Sequence, residues 1–171
     1  MYKIIIEIYL NIIHYCIFKF LNRLSIAIDK INPLMLLGKI PCIKRGHEKH
    51  NTSLTKIMND IYLDEYSGYN IMYSNAAVGM IIFVNFYFIT LFLNNLIGLS
   101  NFITWSNIFY FSIIPSYLIF HFTISKNDKY ILYFRKFDKK SKQTKREYAF
   151  LSLLFIVLTI LSFILSFQYV G

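Results

Sequence analysis

The chain has 171 residues, of which 56% are apolar and 19% aromatic but only 16% charged, with a formal net charge of +9. That length suits one domain, yet a soluble one carries about 25% charged residues, so an ordinary soluble fold is excluded. No Asp, Glu, Lys or Arg occurs in 66–125 or in 148–171, and charge-free tracts of that length are a membrane signature.

Residues 1–31 repeat polar groups every three or four positions: Lys3, Glu7, Asn11, His14, then Asn22, Ser25 and Asp29. The result is a narrow polar stripe on an apolar cylinder, an amphipathic helix. Two placements stay open. The helix lies in the membrane interface with the stripe toward water, or residues 4–28 cross with the stripe toward other helices. Lys3, Glu7, Lys19 and Arg23 make a lipid-facing crossing costly and favour the interfacial or bundle-flanking placement. Glu7, Asn11 and His14 also interrupt any signal-peptide core, and no small-residue cleavage site follows, so no removable leader is expected.

Residues 32–53 carry Pro33, Pro41, Gly38 and Gly46 and read as a loop, without sustained periodicity. Thr52 or Ser53 then caps a short helix with Leu54, Ile57, Met58, Ile61 and Tyr62 on one side and Gly68 as its stop. The first span is expected at 76–97. A short turn follows, then a second span at 106–124, kinked at Pro115, and a third at 148–169. Residues 126–147 hold nine Lys or Arg against three acids. Retention of Lys and Arg on the inner side makes this a cytoplasmic loop, with 32–75 also inside and the C-terminus outside. Within it Tyr130, Tyr133, Phe134 and Phe137 form the apolar face of a helix continuing from the second span, which is expected to pack on 54–62 or on the membrane surface.

The polar groups inside the spans need partners, since an unpaired amide in hydrocarbon is expensive. Asn85, Thr90, Asn94, Asn95 and His121 are candidates for helix–helix contacts or, alternatively, for lining a pore; Ser152, Thr159, Ser162 and Ser166 suit packing between helices. Arg135, Lys136, Lys139, Lys140, Lys142, Lys145 and Arg146 are candidates for contact with anionic lipid headgroups. Nucleic acid is the weaker explanation of the positive charge, because no reading motif accompanies it. Arg45 and His50 fit Arg-x4-His, which resembles the catalytic signature of HEPN-type ribonucleases; Gly46 and nearby Pro41 argue for a solvated charge cluster instead. Cys42, His47 and His50 fall short of the four ligands of a structural zinc site, so no metal or other cofactor is expected. Cys16 and Cys42 define no disulfide framework. Without paired carboxylates, a nucleophile elbow or a phosphate-cradling loop, the expectation is a protein that is not an enzyme.

Pro115 in a span, followed by Lys129, Tyr133, Phe134, Phe137, Lys139, Lys142, Lys145 and Arg146 and a last span carrying Ser166, resembles uncharacterised small polytopic bacterial inner-membrane proteins. The resemblance covers the C-terminal third and implies an inner-membrane location but no activity. The fold expected is therefore an all-α integral membrane protein with three transmembrane helices plus the amphipathic N-terminal one. The function expected is binding of another membrane protein, as an accessory or immunity-type factor. A homo-oligomeric pore is the alternative, and an RNA-cleaving accessory factor the third reading.

Overall fold

A computed structural model describes residues 2–38, 40–97 and 105–167. Among them there is no strand, and the elements in order are α1 (Tyr2–Asp29), α2 (Pro33–Leu37), α3 (Pro41–Lys49), α4 (Leu54–Leu63), α5 (Tyr69–Ile97), α6 (Trp105–Phe120), α7 (Lys129–Asp138) and α8 (Lys142–Ser166). A wide π-type turn, His121–Ser125, and a short 3-10 turn, Lys126–Asp128, join α6 to α7. Four stretches are long and apolar enough to cross a bilayer: Ile5–Asp29, Tyr69–Leu96, Ser106–Asp138 and Lys142–Ser166. The chain is an all-α membrane protein.

The helices form two compact units, residues 1–16 with 76–171 and residues 17–75, with the boundaries inside α1 and α5. In the second unit the expected loop at 32–53 is largely helical, and the prolines explain why. Pro33 opens α2, and Pro41 opens α3 after an extended Ile40. At a first helical position proline's fixed φ helps and its missing N–H is not needed. Gly46 costs α3 roughly 1 kcal/mol against alanine, too little to break a helix punctuated at both ends. Asn51, left-handed at φ 51°, ends it. Asn51 N–H donates to the Glu48 carbonyl and Thr52 N–H to that of His47, a Schellman closure with asparagine in glycine's place.

Ser53 caps α4 as its type predicts, accepting from Lys56 N–H at 3.1 Å. The stop is Asp64, not Gly68. The Asp64 carboxylate accepts from Ser67 and Tyr66 N–H, both at 2.7 Å, and these bonds hold its pKa below the usual carboxylate value. Gly68 stands just ahead of α5 where a Cβ would meet backbone: the Asp64 carbonyl at 2.6 Å, Asp64 N at 2.8 Å and the Tyr62 carbonyl at 2.9 Å.

In the first unit the spans run differently from expectation. α5 starts seven residues before 76, since nothing after Gly68 breaks it. α6 passes through Pro115 without interruption, and the irregularity comes at the π turn instead. Ser112 donates to the Ile108 carbonyl and Ser116 to that of Ser112, supplying side-chain bonds to the backbone around the proline. α7 does not continue α6, because Asn127 and Asp128 are both left-handed and redirect the chain. α8 begins at Lys142, capped by Ser141, which accepts from Thr144 N–H. The expected turn after residue 97 and the end of the third span beyond 167 lie outside the described residues.

Gly68→Ala is expected to lower stability by about 1–3 kcal/mol, as overpacking against rigid atoms does. Thermal unfolding followed by circular dichroism in detergent measures it, and an unchanged midpoint would contradict the close approach.

Candidate functional site: a polar seam and a basic face

The polar stripe of α1 is used inside the first unit. Glu7 Oε2 accepts from Lys129 Nζ at 3.2 Å, and its Oε1 accepts from the Tyr133 hydroxyl, also at 3.2 Å. One turn on, Asn11 Nδ2 donates to the Thr123 carbonyl at 3.0 Å. Another turn on, buried His14 lies edge-on and tilted against Tyr130 and Phe134, with ring centres 5.3 and 5.1 Å apart. Tyr15 packs on Phe134 and Phe137 and donates its hydroxyl to Asp138 at 2.7 Å. From Glu7 to Tyr15 the partners on α7 move from Lys129 and Tyr133 to Phe137 and Asp138, so α1 and α7 run in the same sense along the seam, while Asn11 reaches back to the π turn. The aromatic face of α7 thus meets α1, a partner that the sequence did not name for it. Periodicity in the sequence marks that face as buried without saying what covers it.

A second polar contact joins two spans. Asn85 Nδ2 donates to Thr159 Oγ1 at 2.8 Å while also donating to the Ile81 carbonyl of its own helix. Thr159 belongs to a regular set on α8: the buried residues of that helix are Ser152, Thr159 and Ser166, spaced by seven, while large apolar residues such as Phe150, Leu153 and Leu158 are exposed. Lipid solvates leucine as well as protein does, so helices in a bilayer gain by close backbone approach along small residues.

The other candidates do not join one site. Thr90 donates to its own Phe86 carbonyl, as a helical threonine readily does. Asn94 is buried with no partner for Oδ1 among the described residues, while Asn95 is exposed. His121 sits in the π turn, stacked on Tyr117 at 6.0 Å and edge-on to Phe122 at 5.3 Å. Arg45 is exposed in α3 and His50 is its exposed C-terminal cap, just before the left-handed Asn51. Five residues apart on a helix is about 140° around the axis, so they diverge. Among the described residues no three His, Cys, Asp or Glu gather to hold a metal, and both cysteines are free thiols.

Of the seven candidate headgroup cations, Arg135, Lys136, Lys139 and Lys140 line one shallow depression of about 430 Å³ around Leu132. Lys145 instead donates to the Asp138 carbonyl at 2.7 Å, tying the two helices across their joint, while Lys142 and Arg146 are exposed on the first turns of α8. In the second unit, an open cavity of about 630 Å³ has an apolar floor that includes Ile26, Met35 and Leu54, with Asp29, Lys30 and Lys44 among its polar lining. A buried amide cluster, Asn70 donating to Asn22 and Ser25, ties α1 to α5 there. Comparison with family models, curated proteins and solved structures gives no match.

The Glu7 and Lys129 side chains are only 16% and 30% exposed. Breaking a fully buried pair costs 3–5 kcal/mol and an exposed one under 1, so each single alanine variant should lose about 1–2 kcal/mol. The double variant should lose about 1 kcal/mol less than the sum. Unfolding in mixed micelles measures this, and strict additivity would remove the pair from the account. Thr159→Leu should lose about 1–3 kcal/mol by the same measurement, because a large side chain parts the helices. Leu158→Ala, on the exposed side, should change little.

Proposed function

We propose that this protein acts without catalysis, by binding another protein within the membrane, in an accessory or immunity-type role. The observation that carries the reading is how its polar groups are spent. Glu7, Asn11 and Asn85 bond inside the chain rather than ringing a water-filled path, while the outward surface of α8 is nearly all large apolar side chains. A surface of that kind can exchange lipid for another apolar helix at little cost. Asn95, exposed between Leu93 and Leu96, adds a polar point that gains from a partner's hydrogen bond. By the bias of Lys and Arg, the segment 126–147 faces the cytoplasm and α8 exits outward. The C-terminal resemblance supports a bacterial inner membrane as the location.

The pore remains the second reading because Asn94 and Asn95 stand together near the end of α5. The two separate by experiment. Gentle solubilisation followed by affinity capture should recover a second membrane protein in fixed ratio, and Asn95→Leu should weaken its recovery. Capture of this chain alone, together with ion flux from reconstituted vesicles that Asn94→Leu diminishes, would overturn binding in favour of a pore.

A further inference from the structure

The outer face of α7 has a fixed direction. Tyr130, Ile131, Phe134 and Phe137 are buried, and the ring contacts of Phe134 and Phe137 with Tyr15 lock the helix in rotation. Leu132, Arg135, Lys136 and Lys139 follow one another at i, i+3, i+4 and i+7, which puts them on the opposite side. Lys140 completes the depression they line. Leu132 is 66% exposed at its centre, an apolar residue surrounded by cations.

The three acids of this segment, Asp128, Asp138 and Glu147, leave its nine cations in excess. The Asp138 carboxylate is engaged by Tyr15 and that of Glu147 by Gln143. Just beyond, α8 turns from Lys145 and Arg146 to exposed Phe150, Leu151 and Leu153 within two turns. Cations that close to a lipid-exposed surface sit at headgroup depth.

From this geometry we infer that the face built by Leu132, Arg135, Lys136, Lys139 and Lys140 is a binding site for an anionic phospholipid. The phosphate lies among the four cations, and the upper part of the acyl region rests on Leu132. Arginine supplies a planar fork for two phosphate oxygens, and the lysines supply point charges. The site belongs to this chain alone and does not depend on any protein partner.

The test uses the full-length protein in non-ionic detergent, with retained lipid counted by native mass spectrometry. Short-chain phosphatidylglycerol should be retained at least about tenfold better than the matching phosphatidylcholine, since each nearby cation contributes about fivefold. Replacing Arg135, Lys136, Lys139 and Lys140 together by Gln should abolish the preference. Replacing Lys44, Arg45 and Lys49 of α3 by Gln should leave it intact. Should the fourfold variant not fold, salt tests the wild-type protein. Raising it from about 0.1 M to about 1 M shortens the screening length from ~10 Å to ~3 Å and should erase most of the preference. Equal retention of the two lipids, a preference that survives salt, or equal loss in the α3 variant would overturn the site. Competition by glycerol phosphate at the same concentration as the lipid would also overturn it, since a free phosphate would then be the ligand.

Discussion

A polar side chain placed in hydrocarbon must find a partner inside the protein, and in the first unit this requirement decides which helices touch. Glu7 needs a cation, and Lys129 with the Tyr133 hydroxyl meets it. Asn11 needs acceptors, and the Thr123 carbonyl supplies one just before the left-handed Asn127 and Asp128 take the chain off the helical path. The break between α6 and α7 is therefore useful. It brings α7 alongside α1 in the sense that lets Glu7, His14 and Tyr15 each meet it. Without it, one helix from Ser106 to Asp138 would carry the aromatic face past its partner.

The spans themselves obey a different rule. Between Asn85 on α5 and Thr159 on α8 the attraction comes from a hydrogen bond at a small buried residue, because lipid competes well for every leucine. This explains why α8 exposes its largest residues and buries its smallest, the reverse of a helix in a water-soluble core. The first unit thus combines a seam held by polarity with an interface held by small size.

Much of this was legible in the chain. The two charge-free tracts mark membrane helices because a charge there is expensive, and Ser53 announces α4 through its capping chemistry. The stripe of α1 was visible, and its residues 7–14 are turned toward α7 and the π turn. Other features were hidden for definite reasons. Pro33 and Pro41 look like breakers, yet each starts a helix, and only the backbone on their N-terminal side distinguishes the two uses. Nine cations were apparent in 126–147, seven of them candidates for headgroup contact. Arg135, Lys136 and Lys139 share a side by the spacing along α7; that Lys142, Lys145 and Arg146 do not join them follows from the reset of helical phase at Ser141, which no periodicity carried across the joint could reveal.

The seam also has a consequence for how the chain is made. Glu7 and Lys129 are 122 residues apart, so at ~5–20 residues per second roughly 6–24 s of translation separate them. Throughout that interval the nascent α1 holds an acid, an amide and an imidazole with their final neighbours still unwritten. Its settled position is one that only the last third of the message can complete, and until then the ribosome-bound intermediate must keep that stripe wet or shielded by the insertion machinery.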